Sequence, residues 1–238
     1  MSRVRHAAGS RDMSFSLGRR LAAEGIGSFF LFAGVIGSGI MAEALSGGIV
    51  AVALLANTLA TGAILFVLIA MLGPISGAHF NPAVSMVMAA RQEIPWSEAG
   101  SYVAAQLVGG LIGALAAHLM FDLPLWQYSL KPRSGVGQWA GELVATFGLI
   151  LTIIGTLRHR PALIPANVAL YIVAAYWFTS STSFANPAIT IVRSLTDSFA
   201  GIAPDDVPMF VAAQLAGAVI GAVVGRSLFS NEMDREAI

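Results

Sequence analysis

The chain has 238 residues, of which 56% are hydrophobic and only 11% are charged, and its mean hydropathy is +0.76. Soluble domains carry about 25% charged residues, so this composition indicates a membrane protein. The formal net charge is zero and cysteine is absent, which argues against a nucleic-acid partner and excludes a disulfide, a thiol nucleophile and a cysteine metal site.

Six apolar stretches are long enough to cross a membrane, because a hydrocarbon core of ~30 Å takes about 20 helical residues. They follow a polar, arginine-rich segment, residues 1–20, which lacks the apolar core and cleavage site of a signal peptide. We expect one transmembrane domain over residues 21–229 and a short tail over residues 230–238. The predicted spans are Leu21–Met41, Ile49–Leu72, Ser101–Phe121, Gln138–Leu157, Ala162–Phe178 and Val207–Phe229.

Two further apolar segments, Asn81–Ala90 and Asn186–Leu195, are too short to span, and each begins with the tripeptide Asn-Pro-Ala. Asparagine is a good helix N-cap and proline suits the first helical position, so each tripeptide predicts a helix start. Non-helical backbone within a membrane is tolerated only where protein buries it or where it lines a watery cavity. We therefore predict two re-entrant half-helices. Their tripeptides are Asn81, Pro82 and Ala83, and Asn186, Pro187 and Ala188.

The two halves of the chain repeat each other. The third span contains VAAQLVGGLIGALAA from Val103, and the sixth contains VAAQLAGAVIGAVVG from Val211, an offset of 108 residues that is close to the 105 between the tripeptides. The repeats cover about residues 21–121 and 138–229. Three spans per repeat give opposite orientations, which places the functional region near the midplane between the halves. Small residues in the repeated spans would let helices approach closely.

Basic residues predict that both termini lie in the cytoplasm, because cytoplasmic loops are rich in lysine and arginine. Ten fall on the side of the termini and three on the other side. The first group is Arg3, Arg5, Arg11, Arg19, Arg20, Arg91, Arg158, Arg160, Arg226 and Arg235, and the second is Lys131, Arg133 and Arg193.

The sequence is identified as a member of the aquaporin, or major intrinsic protein, family. The resemblance rests on GPISGAHFNPAVS from Gly73, on FANPAIT from Phe184, on a glutamate five residues before a phenylalanine in the first and fourth spans, and on the two AAQL spans. It implies an all-α membrane protein with six spans and two half-helices in an inverted repeat. It also implies a homotetramer in the lipid bilayer, with one pore per subunit and the half-helices meeting at the pore centre.

The residues of the two motifs suit a pore for neutral solutes. Two positive half-helix ends at one narrow point oppose cations, and the amides of Asn81 and Asn186 can donate to a passing oxygen. Backbone carbonyls on both loops would accept hydrogen bonds from the solute. For an ion, the free energy of the lost hydration would exceed the free energy gained from these contacts. The expected carbonyl track is formed by Gly77, Ala78 and His79, and by Ser183, Phe184 and Ala185.

Two glutamates and two histidines are ionisable residues that we interpret individually. Glu24 and Glu142 are functional candidates because they are carboxylates within a membrane. A proton relay is one interpretation, and we favour a structural one in which each carboxylate accepts bonds from loop N–H groups. His79 is interpreted as fixing a loop rather than gating with pH, and His118 as structural.

The outer constriction departs from the family pattern. Where typical members have an arginine directly after the second tripeptide, this chain has Ile189, and counting from the motifs places the other constriction positions at Thr61, Ala174 and Ser183. The expected filter is wide and uncharged. Arg193 follows one helical turn later, on the same face, where it lies in the outer vestibule, pairs with Asp197 or reaches back to the constriction. Tyr176 and Trp177 are interpreted as packing or interface anchors.

The departure resembles a bacterial subgroup associated with arsenic resistance. The resemblance implies a passive channel for small uncharged solutes, namely arsenite as As(OH)3, glycerol-like polyols and some water, in a bacterial plasma membrane. A water-selective channel and an inverted-repeat secondary transporter are the alternatives. No cofactor, metal or enzymatic activity is expected, because the spans lack a serine–histidine pair, paired aspartates or a histidine cluster.

Overall fold

The computed structural model describes residues 15–229, so the termini predicted to be cytoplasmic fall almost entirely outside the described residues. Those described residues form eight α-helices and no strand, and six of the helices are long and apolar enough to cross a membrane, as the sequence predicts. The helices are α1 (Leu17–Leu45), α2 (Val50–Ser76), α3 (Pro82–Ala90), α4 (Trp96–Met120), α5 (Val136–His159), α6 (Ile164–Phe178), α7 (Pro187–Arg193) and α8 (Val207–Phe229).

Most of the long helices run past the apolar stretches that predict them. Helix α1 starts four residues before Leu21, and α2 continues through Pro74 to Ser76. Gly77, whose φ of +92° is left-handed, caps the end of α2. Hydropathy marks the hydrocarbon-embedded part of a helix, whereas the helix itself continues into the interface until a cap ends it. A short 3-10 turn, Pro161–Leu163, precedes α6.

The half-helices α3 and α7 start as the sequence predicts. The Asn81 side chain accepts a hydrogen bond from the Ala83 N–H at 2.9 Å, and the Asn186 side chain accepts from the Ala188 N–H at 3.0 Å. Proline occupies the first position of each helix, where no N–H is needed.

The long helices pack in two equivalent pairs, α1 against α4 and α5 against α8. A Cβ at Gly109 would overlap the carbonyl oxygen of Gly25, and one at Gly217 would overlap that of Leu143. The glycines therefore let the backbones of each pair touch, as expected from the small residues in the repeated spans.

The two ends of the bundle are held differently. At the end where α1 and α4 begin, called the proximal end, the guanidinium of Arg20 pairs with Glu98 at 2.6 Å. At the opposite, distal end, the loop between α4 and α5 lies against the segment that follows α7. There the Ala203 N–H donates to the Lys131 carbonyl at 2.7 Å.

Candidate pore

The two loops that precede α3 and α7 share one backbone conformation. The residues three and one before each asparagine have a left-handed φ: Ala78 at +51° and Phe80 at +49°, and Ser183 at +48° and Ala185 at +47°. This conformation costs roughly 1–2 kcal/mol for a residue with a Cβ, so the surrounding contacts must impose it.

The buried carboxylate of Glu24 supplies such contacts to the first loop. It accepts from the N–H groups of His79 at 2.9 Å and Phe80 at 2.7 Å, from the Ser76 hydroxyl, and from the Gln106 side chain at 2.8 Å. Its exposed fraction is zero. All these donors point at the carboxylate, which agrees with the structural interpretation of Glu24.

Glu142 does the same for the second loop. It accepts from the N–H groups of Phe184 at 2.8 Å and Ala185 at 2.9 Å, and from the Gln214 side chain. It too is fully buried. The repeat seen in the sequence is therefore also a repeat of contacts, with glutamate and glutamine at equivalent places.

The side chains of the two tripeptide asparagines lie between the loops, and each bonds to the loop of the other repeat. The Asn81 amide donates to the Ala185 carbonyl at 2.7 Å, and the Asn186 amide donates to the Phe80 carbonyl at 2.8 Å. Each amide has two N–H groups, so one ties it to the opposite loop and the second is free for a solute.

Both asparagines line one cavity that passes between the two halves of the chain. Its lining reaches from Glu93 and Leu157 near the proximal end to Arg193 near the distal end. One wall is apolar and comes from stripes of residues on four helices, and the loops supply the polar wall. The apolar stripes are Leu31 and Val35, Leu65 and Ile69, Leu149, Ile153 and Leu157, and Ile164, Val168 and Ile172.

Sequence reasoning missed these stripes. Their signal is present as a spacing of four, which brings residues to one face of a helix. Apolar residues are frequent on every face of these spans, however, so the spacing alone does not mark which face lines a cavity.

The predicted carbonyl residues all border the cavity: Gly77, Ala78, His79, Ser183, Phe184 and Ala185. The carbonyl of Ala185 already accepts the Asn81 amide, so one of its two lone pairs is used. The structure adds Phe80, whose carbonyl has the matching role in the first loop.

Three of the four predicted filter residues line the cavity, namely Thr61, Ser183 and Ile189. The prediction for Ala174 is wrong, because this residue is exposed and lies outside the lining. Helix α6 presents Val168, Ile172 and Tyr176 to the cavity, and a residue two positions from them points about 200° away.

Tyr176 takes the place expected for Ala174, so its interpretation as a packing anchor is wrong as well. It is buried and lines the cavity, and its hydroxyl lies 3.3 Å from the Thr61 hydroxyl. Trp177, the next residue, is exposed.

Arg193 also reaches the cavity, and it does not pair with Asp197. Its Nε donates to the Ala200 carbonyl, and its guanidinium carbon lies 3.3 Å from the centre of the Phe184 ring. The Asp197 carboxylate instead accepts from the Leu130 N–H at 3.0 Å. Of the three expected locations for Arg193, the structure excludes the pair with Asp197, and the residue borders the cavity.

The histidines have local partners. The Nδ1 of His79 lies 3.1 Å from the Ser85 hydroxyl, and its ring borders that of Tyr102. The Nδ1 of His118 lies 2.9 Å from the Leu125 carbonyl at the end of α4. Residues 15–229 contain no group of His, Cys, Asp and Glu side chains that could hold a metal ion.

Two further cations lie at the distal end, outside the spans. Burial lowers the pKa of Lys131 to about 8, and the nearby charge of Arg133 acts in the same direction. Burial also lowers the pKa of Arg133 to about 10, with Glu142 opposing the shift. The Arg133 side chain donates to the carbonyls of Gly201 at 2.7 Å and Ser181 at 3.2 Å.

The protein-family model described as "Major intrinsic protein" matches residues 11–185, which is more than half of the chain. The chain belongs to the major intrinsic protein family. The members of this family are membrane channels and not enzymes, and six apolar helices agree with an integral membrane protein.

Relatives within the major intrinsic protein family extend the match to both repeats. The chain is 53% identical over 214 residues to aquaglyceroporin AqpS of Rhizobium meliloti, covering 90% of this chain and 91% of that protein. It is 35% identical over 118 residues to the glycerol uptake facilitator protein of Bacillus subtilis, covering 43% of each. The aquaglyceroporin structure from Plasmodium falciparum has the same fold, with a TM-score of 0.67 at 22% identity over 93% of this chain and 98% of that one.

Proposed function

We propose that this protein is an aquaglyceroporin-type passive channel for small uncharged solutes, which carries arsenite as As(OH)3, glycerol-like polyols and some water. The name of the relative from Rhizobium meliloti, 53% identical over most of both chains, supports the aquaglyceroporin class. The choice of solute rests on the cavity of this chain.

The observation that carries the proposal is Ile189. This residue lies one position beyond the second tripeptide, is buried and borders the cavity between Asn186 and the distal end. An arginine there would fill space and present fixed donors on the distal side of the asparagines. An aliphatic side chain leaves room for a solute with three hydroxyl groups.

The shape of such a solute fits the two walls. Its hydroxyl groups can accept from the free amide N–H groups of Asn81 and Asn186 and donate to the loop carbonyls, while the remainder contacts the apolar stripes. An ion would have to give up its hydration shell for a few amide and carbonyl groups. The free-energy cost of this dehydration is much larger than the gain from those contacts. The N-terminal ends of α3 and α7 both face the cavity centre and add a positive potential against cations.

The transporter alternative needs a charged coupling site facing the cavity. Glu24 and Glu142 do not fit this role, because neither borders the cavity and each accepts at least three donors. The bonding of these carboxylates therefore favours the passive channel.

The proposal includes the surroundings of the chain. We place it as a homotetramer in a bacterial plasma membrane, with residues 21–229 as the channel domain and both termini in the cytoplasm. The ten-to-three distribution of basic residues supports this orientation. In the cysteine-free chain, a cysteine placed next to Lys131 should react with an impermeant reagent only from outside the cell, and labelling only from the cytoplasm would reverse the orientation.

The proposed solutes can be tested with purified protein in liposomes. Stopped-flow light scattering measures water and glycerol permeability, and arsenite entry is measured after rapid filtration. We expect all three to pass without saturation and with a low activation energy. Water flux together with exclusion of both glycerol and arsenite would show a water-selective channel and overturn the proposal.

The variants Ile189→Arg and Ile189→Val test the carrying observation directly. Arginine should suppress glycerol and arsenite flux while leaving water flux measurable, because it narrows the passage at that level. Valine keeps an apolar side chain and should retain all three fluxes. Equal glycerol flux in both variants would show that position 189 does not set the size limit.

A further inference from the structure

We propose that Arg193, with Tyr176 and Thr61, forms a second, charged constriction that selects solutes one helical turn beyond Ile189. The inference deepens the proposed function and rests on it only for the existence of the pore. The residues that line the cavity in the two half-helices are its starting point.

Both half-helices present the same two positions to the cavity. In α3 these are Val84 and Met88, three and seven residues after Asn81, and in α7 they are Ile189 and Arg193, at the same distances from Asn186. A spacing of four brings both residues of a helix to one face. Position 193 thus faces the cavity because the two repeats share one architecture. The repeats differ in the residue at this position, which is arginine in α7 and methionine in α3.

The guanidinium is fixed rather than free to swing into the vestibule. Its exposed fraction is 2%, its Nε donates to the Ala200 carbonyl, and it stacks 3.3 Å from the centre of the Phe184 ring. A planar guanidinium held on an aromatic face keeps its outer N–H groups in a constant direction. Pre-oriented donors of this kind are suited to recognising hydroxyl oxygens.

The positive charge of Arg193 is not neutralised by an ion pair within residues 15–229. The ion pairs in this part of the chain join Arg20 with Glu98 and Arg91 with Glu93, both away from the distal end. The distal cations Lys131 and Arg133 add to the same potential, and Arg133 also lies over the Phe184 ring, 4.8 Å from its centre. A cation approaching from the distal side therefore meets a buried positive charge that no salt bridge in this part of the chain neutralises.

Polar side chains complete the constriction. Tyr176 and Arg193 both border the cavity, and the Tyr176 hydroxyl lies 3.3 Å from that of Thr61. Polar side chains from α2, α6 and α7 thus border the same cavity. Ile189 lies one turn of α7 nearer the asparagines, about 6 Å from Arg193 along the helix axis.

The experiment compares Arg193→Ala with its repeat counterpart Met88→Ala. Proton leak is measured with a pH-sensitive dye inside proteoliposomes under a clamped membrane potential, together with water and glycerol permeability. Arg193→Ala should raise the proton leak and the glycerol-to-water permeability ratio, the latter on the order of tenfold, because a charged donor is lost. Met88→Ala widens the passage by a similar amount without removing charge and should leave the proton leak unchanged.

A double variant tests position against mere presence of the charge. Ile189→Arg combined with Arg193→Ala moves the cation one turn inward on the same face. It should return the proton leak to the wild-type level and lower glycerol flux below it. A purely structural role of Arg193 would not be restored in this way.

Two conservative variants keep the test decisive if alanine prevents folding. Arg193→Met retains an unbranched stem over Phe184, and Arg193→Lys retains the charge without the fork. Folded Arg193→Met with wild-type proton leak and solute ratio would overturn the inference, as would a folded Arg193→Ala that conducts nothing. If the wild type excludes glycerol but Arg193→Ala admits it, the proposed solute range fails while the inference stands.

Discussion

The loops before α3 and α7 share their backbone and differ in the side chains that border the cavity. Each has left-handed residues three and one before the asparagine, a buried glutamate that accepts from two N–H groups of the loop, and an asparagine that donates across to the other loop. Two residues before the asparagine, however, the first loop has His79 and the second has Phe184.

This difference gives the two ends of the cavity different chemistry. His79 lies beside Ser85, and the half-helix beyond it adds only apolar Val84 and Met88 to the lining. Phe184 instead supports two guanidinium groups, so the distal half carries charge. The comparison teaches that the two repeats share one backbone arrangement, and that a few side chains make the two ends of the cavity chemically different.

The largest effect is expected from Glu24→Gln and Glu142→Gln, which disrupt this shared backbone arrangement. Glutamine would present an N–H group to donors that need an acceptor, and each buried donor left unpaired costs about 1–3 kcal/mol. Glu24 accepts four donors and Glu142 three, so Glu24→Gln should lower the yield and the unfolding temperature more. Size-exclusion chromatography and thermal unfolding in detergent measure both effects.

A different result for these glutamine variants would change the mechanism. If they fold normally but lose a pH-dependent component of transport, the carboxylates relay protons. The secondary transporter would then replace the passive channel.

The next largest effect is expected from Asn81→Asp and Asn186→Asp, which test whether the loops are equivalent at the centre. A carboxylate there offsets the positive helix end and loses the amide donor to the opposite loop. Both variants should admit cations, measured as sodium or proton leak in proteoliposomes, and to a similar extent. Asn81→Ala and Asn186→Ala remove the donor without adding charge and serve as controls. A cation leak as large in the alanine variants as in the aspartate variants would exclude the electrostatic explanation.

The sequence predicts those features of the cavity whose causes act within a few residues of the chain, and it predicts less well those that depend on packing between helices. The half-helix starts follow from Asn81 and Asn186, because capping and the fixed φ of proline act within a few residues. The roles expected for Glu24 and Glu142 follow from the cost of an unpaired carboxylate in a membrane. The choice between Ala174 and Tyr176 depends instead on the rotation of α6 about its axis, which its packing against α2 and α5 determines.

The pair Ala174 and Tyr176 allows a smaller test on the distal side. Tyr176→Phe removes one hydroxyl from the cavity wall and should change the glycerol-to-water permeability ratio a few-fold, which corresponds to the roughly 0.5–1.5 kcal/mol of one hydrogen bond. Ala174→Phe adds a ring on the exposed face of α6 and should leave the ratio unchanged. The reverse pattern would show that Ala174 belongs to the filter after all.

The smallest effect is expected from Lys131, whose pKa burial lowers from 10.5 to about 8. Between about pH 8 and 10.5 the unfolded chain binds more protons at this residue, so stability should rise with pH across that window and stay level below it. The unfolding temperature in detergent measures the rise, and Lys131→Gln should remove it. An identical pH profile in the variant would assign the rise to another group.

The crossed bonds of the asparagines have a consequence for how the protein is made. Asn81 needs the carbonyl of Ala185, and Asn186 needs that of Phe80, so the loops complete each other across more than 100 residues of chain. A ribosome delivers the first repeat well before the second. During that interval the polar wall has only one of its two loops, so the cavity is complete only when the second repeat has entered the membrane.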